Sequence, residues 1–103
     1  MIMRNNIENL PQGCSMVIEI DPRHELVTIS ARKNEVCRTV YSNSLPSNMS
    51  ARINTQYDQE KIVVQLFAIQ NALIVEVAFV YMTGQVTVCQ YGYEFLKKTI
   101  NLT

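Results

Sequence analysis

The sequence predicts a single α+β domain in which two antiparallel three-strand meanders form one sheet or half-barrel beside short helices. Residues 15–42 alternate between apolar and polar side chains, which is the period of a strand with one buried face. Residues 60–92 are rich in β-branched residues and contain a Thr-Gly step, which favours strands joined by tight turns. Short stretches near 3–10, 47–57 and 92–100 carry apolar residues at helical spacing.

The chain is expected to form one domain, residues 1–103. Its length supports a single core, and apolar residues make up 48% of the sequence. Charged residues make up 17%, which is below the roughly 25% that is typical of globular domains. We therefore expect uncharged polar side chains, or a partner, to cover part of the surface.

The first predicted element is a short helix near residues 3–10. Ile2, Ile7 and Leu10 would share one face of this helix. Pro11 follows immediately, and a proline at that point is a typical stop signal.

The first meander is predicted to have strands at 14–21, 26–31 and 36–41. Apolar side chains of the first two strands alternate with polar ones and should face the core: Met16, Ile18, Ile20, Val27, Ile29 and Ala31. The third strand leaves two alternatives for its buried pair, either Val36 and Val40 or Cys37 and Tyr41. Asp21 and Asn34 mark the two connections, because Asp bonds back to the backbone of a turn and Asn tolerates a positive φ.

A second short helix is predicted at 47–57, with an irregular crossover as the alternative. The second meander follows, with tight turns near Asn71 and at Thr83-Gly84, where Gly84 supplies a positive φ. A two-residue loop at Thr83-Gly84 would place these side chains on the core face: Val77, Phe79, Tyr81, Val86 and Val88.

The opposite face of this ribbon is only half polar. It carries Glu76, Ala78, Val80, Met82, Gln85, Thr87, Cys89 and Tyr91. Strands that are apolar on both faces are normally covered on both faces. The sequence therefore predicts a cover for this second face, either a helix of the same chain or a partner.

The last predicted element is a C-terminal helix at 92–100, in which Tyr93, Leu96 and Ile100 have helical spacing. The competing interpretation continues the strand and places Tyr91, Tyr93 and Phe95 on one face.

Charge and composition exclude several classes of function. Nine basic and nine acidic residues give a net charge of zero, which argues against a nucleic-acid partner. Residues 62–82 are long enough to cross a membrane as a helix, but they include Glu76 and three polar amides, so strands are preferred and no membrane partner is predicted. The three cysteines have no paired spacing, which favours a reducing cytoplasm over a disulfide or zinc framework.

No catalytic, cofactor or metal site is predicted. His24 is the only histidine and lies in a polar turn, so it is expected at the surface. A Cys89 nucleophile with His24 as its base is weighed against a packed thiol, and packing is favoured. Cys37 is expected to be packed in the same way, and Cys14 is expected to be the most exposed thiol.

The predicted order of helix, three strands, helix, three strands and helix is similar to that of the small dimeric chaperones of bacterial type III secretion, although no family is recognised from a motif. That similarity implies a chaperone or adaptor. Low charge and the apolar second face favour a non-catalytic module that binds another protein, such as an immunity protein, an inhibitor or an anti-defence protein. A homodimer is also expected, since the apolar face needs a cover.

Residues proposed for partner binding are Arg32, Lys33, Arg38, Tyr41, Arg52, Met82, Gln85 and Thr87. A further alternative is a small-ligand domain or enzyme with a pocket between the sheet and the helices. Its polar groups would be Arg38, Tyr41, Arg52 or His24.

Overall fold

The computed structural model describes residues 2–45, 51–68, 73–92 and 94–103, and within them the chain forms nine β-strands and one 3-10 turn. The first four strands are β1 (Met3–Leu10), β2 (Cys14–Asp21), β3 (Leu26–Lys33) and β4 (Val36–Ser44). The other five are β5 (Ala51–Tyr57), β6 (Lys61–Ala68), β7 (Leu73–Val80), β8 (Gln85–Tyr91) and β9 (Leu96–Asn101). The 3-10 turn, Pro11–Gly13, joins β1 to β2.

The strands form two antiparallel sheets that pack face to face. Sheet A has the order β1-β2-β3-β4, and sheet B has the order β5-β6-β7-β8-β9. Inward-facing residues of both sheets belong to one hydrophobic core, which includes Ile18 and Ile29 of sheet A and Val64 and Val77 of sheet B. The fold is therefore a β-sandwich, and the predicted α+β class with one sheet or half-barrel is wrong.

The predicted helix near 3–10 is strand β1. Ile7 lies opposite Met16 and Leu10 lies opposite Cys14, so three residues of β1 span two residues of β2. This β-bulge brings Ile7 and Leu10 to the same side of the strand, although residues three apart normally point to opposite sides. The bulge therefore produces a spacing that resembles that of a helix.

The other two predicted helices are also strands among the described residues. Within 47–57, residues 51–57 form β5, and the remainder lies outside the described residues. Within 92–100, the described residues from Leu96 onward belong to strand β9. Because β9 runs antiparallel to β8 and pairs with it, β9 is a separate strand, and the alternative prediction of a continued β8 strand is wrong as well. Ile53 and Tyr57 are four residues apart, as are Leu96 and Ile100, and this spacing fits one face of a helix and one face of a strand equally well.

Both predicted three-strand meanders are confirmed as β2-β3-β4 and β6-β7-β8, although they lie in different sheets. All of the core residues predicted for the first two strands and for the β7-β8 ribbon are buried. In β4 the register shifts by one residue, because Ile29 pairs with Tyr41 and Ser30 pairs with Thr39, which leaves Val40 between them without a partner in β3. Val40 and Tyr41 are therefore both buried, while Val36 and Cys37 are exposed, so each predicted pair is half right.

The turn between β7 and β8 is longer than predicted. Val80 lies opposite Gln85, so four residues form the turn in place of two. The pairing differs from the predicted register by two residues, which leaves every side chain on its predicted face. Gly84 and Asn34 have the expected positive φ, 73° and 54°. The predicted turn near Asn71 lies outside the described residues.

The described part of the chain contains no helix long and apolar enough to cross a membrane.

Candidate functional site

The outer faces of the two sheets differ in chemistry. Most residues that point outward from sheet A are polar: Arg4, Asn6, Ser15, Glu19, Asp21, Thr28, Ser30, Arg32, Thr39 and Ser42. We define the outer face of sheet B by the alternate residues of β5 to β9 that point away from the core. Its half-buried apolar members are Val63, Phe67, Ile74, Ala78 and Val80. An exposed sheet face is normally polar, so sheet B is the unusual one.

Two short apolar rows lie on the outer face of sheet B. In one row Val63 of β6 lies opposite Ala78 of β7. In the other, Phe67 lies opposite Ile74, which in turn lies opposite Tyr91 of β8. Side chains that are directly opposite in an antiparallel pair pack against each other, so each row forms a continuous apolar strip.

A polar row separates the two apolar rows. The Asn54 side chain donates a hydrogen bond to Gln65 Oε1 at 3.2 Å, and Gln65 Nε2 donates to Glu76 Oε2 at 3.0 Å. Glu76 is half-buried. A carboxylate has about four acceptor positions, so Glu76 can accept further hydrogen bonds from a cationic group placed over this face.

Cations and aromatic rings surround the outer face of sheet B. The Arg52 guanidinium lies 5.3 Å from the centre of the Phe67 ring, which is within the range of a cation–π interaction. Lys97 lies opposite Cys89 at the β9 edge. The Tyr91 and Phe95 rings pack together with centres 5.8 Å apart, and both side chains are exposed.

Half of the residues proposed from sequence for partner binding lie on this side of the molecule. Arg52, Gln85 and Thr87 point outward from sheet B, and Met82 is 72% exposed in the adjacent turn. Arg32 and Arg38 are exposed on sheet A. The remaining two make contacts between the sheets, because Lys33 Nζ donates to the Tyr81 carbonyl at 2.6 Å and the buried Tyr41 hydroxyl donates to Gln90 Oε1 at 2.7 Å.

The sequence interpretation missed the β6 part of this face. Val63, Gln65 and Phe67 alternate with the buried Ile62, Val64 and Leu66. That alternation is visible in the sequence. Together with the pairing of β6 and β7, it would have been enough to predict that Val63, Gln65 and Phe67 belong to the same face as the outward residues of β7.

The polar groups proposed for a ligand pocket are not brought together. Tyr41 is buried in sheet A, and Arg38 and Arg52 lie on edge strands of different sheets. His24 lies in the β2-β3 turn, where its Nδ1 is 2.6 Å from Asp21 Oδ2. The hydrogen bond from this ring, together with backbone N–H groups, lowers the pKa of Asp21.

The thiols differ from expectation. Cys14, which was expected to be the most exposed, is buried, and burial raises the pKa of its thiol. Cys37, which was expected to be packed, is exposed, and Cys89 is half-buried on the outer face of sheet B. The alternative Cys89 and His24 pair is not formed, since the His24 ring contacts Asp21 in the β2-β3 turn and Cys89 lies in β8.

Among the described residues there is no group of three or more His, Cys, Asp or Glu side chains that could hold a metal ion. We found no family model, no curated protein and no solved structure that matches the chain.

Proposed function

We propose that this protein is a non-catalytic module that binds another protein through the outer face of sheet B. The observation that carries the proposal is the contrast between the two outer faces, since one is mostly polar and the other has two short apolar rows. Contiguous exposed apolar surface with a polar rim is typical of protein interaction sites. An immunity protein or an inhibitor is the kind of small domain that acts in this way.

The charges of the outer face of sheet B define the chemistry of the partner. Glu76 lies between the apolar rows, so the partner should present a lysine or arginine within an apolar surface. Arg52, Lys61 and Lys97 lie at the rim, which favours acidic residues around that centre. Complementary charges of this kind increase specificity and the association rate.

The size of the face predicts the class of complex. Five strands spaced about 4.8 Å apart and about seven residues long give a face of roughly 500 Å². Stable complexes bury about 800 Å² on each partner. A tight complex must therefore also use surface beyond this face, including the exposed Phe95 ring.

A reducing compartment such as the cytoplasm is part of this proposal. Support comes from the three cysteines, all of which are free thiols. The similarity to secretion chaperones depended on an order of helices that the described fold does not contain, and we do not extend it.

Paired lysine substitutions test the proposal. Ala78→Lys places a charge at the centre of the outer face of sheet B, and Ser30→Lys places the same charge at the matched half-buried position of sheet A. The wild-type protein and Ser30→Lys should retain the same partner from an extract of the native host. Ala78→Lys should bind the purified partner about tenfold more weakly or worse.

Equal affinity of both variants would contradict the proposal, provided that urea unfolding shows both to be folded. Glu76→Gln tests the charge separately and should weaken binding of a partner that presents a basic side chain. Light scattering at tens of micromolar determines whether the partner is a second copy of the chain, since that arrangement would produce a dimer that Ala78→Lys dissociates.

A further inference from the structure

Two open cavities adjoin where edge strand β1 approaches edge strand β5. One has a volume of about 440 Å³ and is lined by residues 5–10, Thr55 and Tyr57. The other has a volume of about 470 Å³ and is lined by residues 9–11 and 57–59. Both volumes fall within the roughly 300–1,000 Å³ of small-molecule sites. The two cavities are neighbours that share Asn9, Leu10 and Tyr57 in their lining, and we call the pair the edge cleft.

The Tyr57 ring is the central feature of the edge cleft. It lies at the end of β5 and is 69% exposed. A third cavity, of about 260 Å³, also contacts Tyr57 and extends past Asp58 and Lys61 toward the outer face of sheet B. An aromatic ring that borders three depressions presents a rigid apolar surface with open space beside it.

Amides and carboxylates line the edge cleft around this ring. The side-chain amides are those of Asn5, Asn6, Asn9 and Gln59, and the carboxylates are those of Glu8 and Asp58. Of the described residues that line its two main cavities, none is a lysine or an arginine. The amides can donate and accept hydrogen bonds, while the carboxylates only accept them.

The Asp58 carboxylate is fixed in position and in charge. Its Oδ1 accepts hydrogen bonds from the backbone N–H groups of Glu60 at 2.8 Å and Lys61 at 3.0 Å. These bonds lower the pKa of Asp58, so the side chain is ionised at neutral pH. Both bonds use one oxygen, which leaves Oδ2 available to accept hydrogen bonds from a ligand.

The backbone at the opposite wall is held in an unusual conformation. Asn9 has φ 62° and lies in the bulge where the register between β1 and β2 shifts. Asparagine tolerates a left-handed conformation, so the bulge fixes the position of Asn9 beside the cleft. Asn9 lines both main cavities.

We propose that the edge cleft binds a neutral saccharide, with one sugar ring packed on Tyr57 and its hydroxyl groups hydrogen-bonded to Asp58 and Asn9. A sugar ring has an apolar C–H surface that packs on an aromatic ring, and it has hydroxyl groups that both donate and accept. Phosphate and carboxylate ligands lack a cationic partner in the two main cavities, and they would be repelled by Glu8 and Asp58. A mainly apolar ligand would require a mainly apolar lining.

The test is a titration of the isotope-labelled full chain, followed by NMR, with hexasaccharides of β-1,4-linked glucose, β-1,4-linked N-acetylglucosamine and α-linked mannose. At least one should shift the amide signals of residues 8–10 and 57–59, with a Kd on the order of 1 mM, as expected for an open cleft. Tyr57→Ala should weaken this binding at least tenfold, whereas Tyr57→Phe should retain it. Asp58→Asn keeps an oxygen for the two backbone N–H groups but replaces the free acceptor with a donor, so it should weaken binding severalfold.

Tyr91→Ala is the matched control, because it removes an exposed tyrosine from sheet B outside the edge cleft and should leave the titration unchanged. The inference is overturned if none of the three hexasaccharides shifts these signals at tens of millimolar, or if Tyr57→Ala binds as the wild type does. It is also overturned if an extended peptide or the polycation spermine binds the cleft and the hexasaccharides do not.

Discussion

Replacing tyrosine with phenylalanine should change stability in opposite directions at Tyr41 and Tyr81. Both side chains are buried in the same core, at 3% and 1% exposure. The Tyr41 hydroxyl donates to Gln90 Oε1 at 2.7 Å and accepts a hydrogen bond from Asn43 Nδ2 at 2.9 Å. The Tyr81 hydroxyl is buried without a hydrogen-bond partner among the described residues. The two substitutions remove the same atom from opposite environments.

Tyr41→Phe should destabilise the fold by about 1–2 kcal/mol, because each lost hydrogen bond contributes about 0.5–1.5 kcal/mol net. Two hydrogen bonds are lost, but the total cost stays below the sum of their upper limits, since Asn43 and Gln90 keep other hydrogen-bond partners. Asn43 Nδ2 still donates to Gln90 Oε1 at 3.3 Å, and Gln90 Nε2 still donates to the Glu94 carbonyl at 3.2 Å. Burial raises the pKa of Tyr41, so the hydroxyl keeps the proton that it donates.

Tyr81→Phe should be neutral or should stabilise the fold by about 1 kcal/mol. Burying a hydroxyl without a partner costs about 1–3 kcal/mol in proteins, and the substitution removes that cost. Phenylalanine retains the ring, which packs edge-on against Phe79 with centres 6.1 Å apart. No cavity larger than the hydroxyl is created, so the packing contribution is preserved.

Urea unfolding of the wild type and the two variants measures the difference, provided that the slope m is the same in all three. The variants should differ from each other by about 1–3 kcal/mol. For a domain of this size each kcal/mol corresponds to a change in Tm of about 4–8 °C. If Tyr81→Phe lost as much stability as Tyr41→Phe, the Tyr81 hydroxyl would have to be satisfied in solution, and the reasoning would be refuted.

Three further predictions concern the thiols, one turn and acid stability. A thiol reagent should modify Cys37 rapidly, Cys89 more slowly and Cys14 only after unfolding. Mass spectrometry of the intact protein measures the order of labelling, and rapid labelling of Cys14 would contradict its burial. Gly84→Ala should lower the free energy of unfolding by about 1–3 kcal/mol, since φ is 73° and the added Cβ would lie 3.0 Å from Thr103 Cγ2. Thermal unfolding measures this loss, and an unchanged Tm would contradict it. The lowered pKa of Asp21 stabilises the fold above its unfolded value of about 3.9, and this contribution is lost as the pH falls through the lower folded value. Asp21→Asn should therefore be less stable than the wild type at pH values above about 4 and equally stable at the acid end, whereas a constant difference would contradict the assignment.

The sequence was sufficient to predict strands wherever apolar residues alternate without interruption. The core residues predicted for β2, β3, β7 and β8 are all buried, since a period of two has one structural explanation. Cys14 at the start of β2 is the exception, because it was expected to be exposed and is buried. A spacing of four residues fits one face of a helix and also one face of a strand. For that reason the sequence predicts a helix at Ile53 and Tyr57, where the structure has strand β5. At Ile7 and Leu10 a bulge produced a spacing of three within a strand.

The candidate sites were predictable to different degrees. The sequence predicts the part of the outer face of sheet B that β7 and β8 form, because two strands joined by a short turn reveal each other's pairing. The edge cleft could not be recognised, because Asn9 and Tyr57 are distant in sequence and belong to strands of different sheets. Only the packing of one sheet on the other brings them together.

The order of the strands has a consequence for how the chain acquires its fold. Every strand pairs only with its neighbours in sequence, and the two sheets come from separate halves of the chain. Local pairings of this kind require little loop closure and form quickly, whereas β-sandwiches with distant pairings fold slowly. The docking of sheet A on sheet B then brings the two halves of the chain together. Sheet A of one chain presents the same surface to sheet B of another chain as to its own, so refolding at high concentration should produce some exchanged dimers.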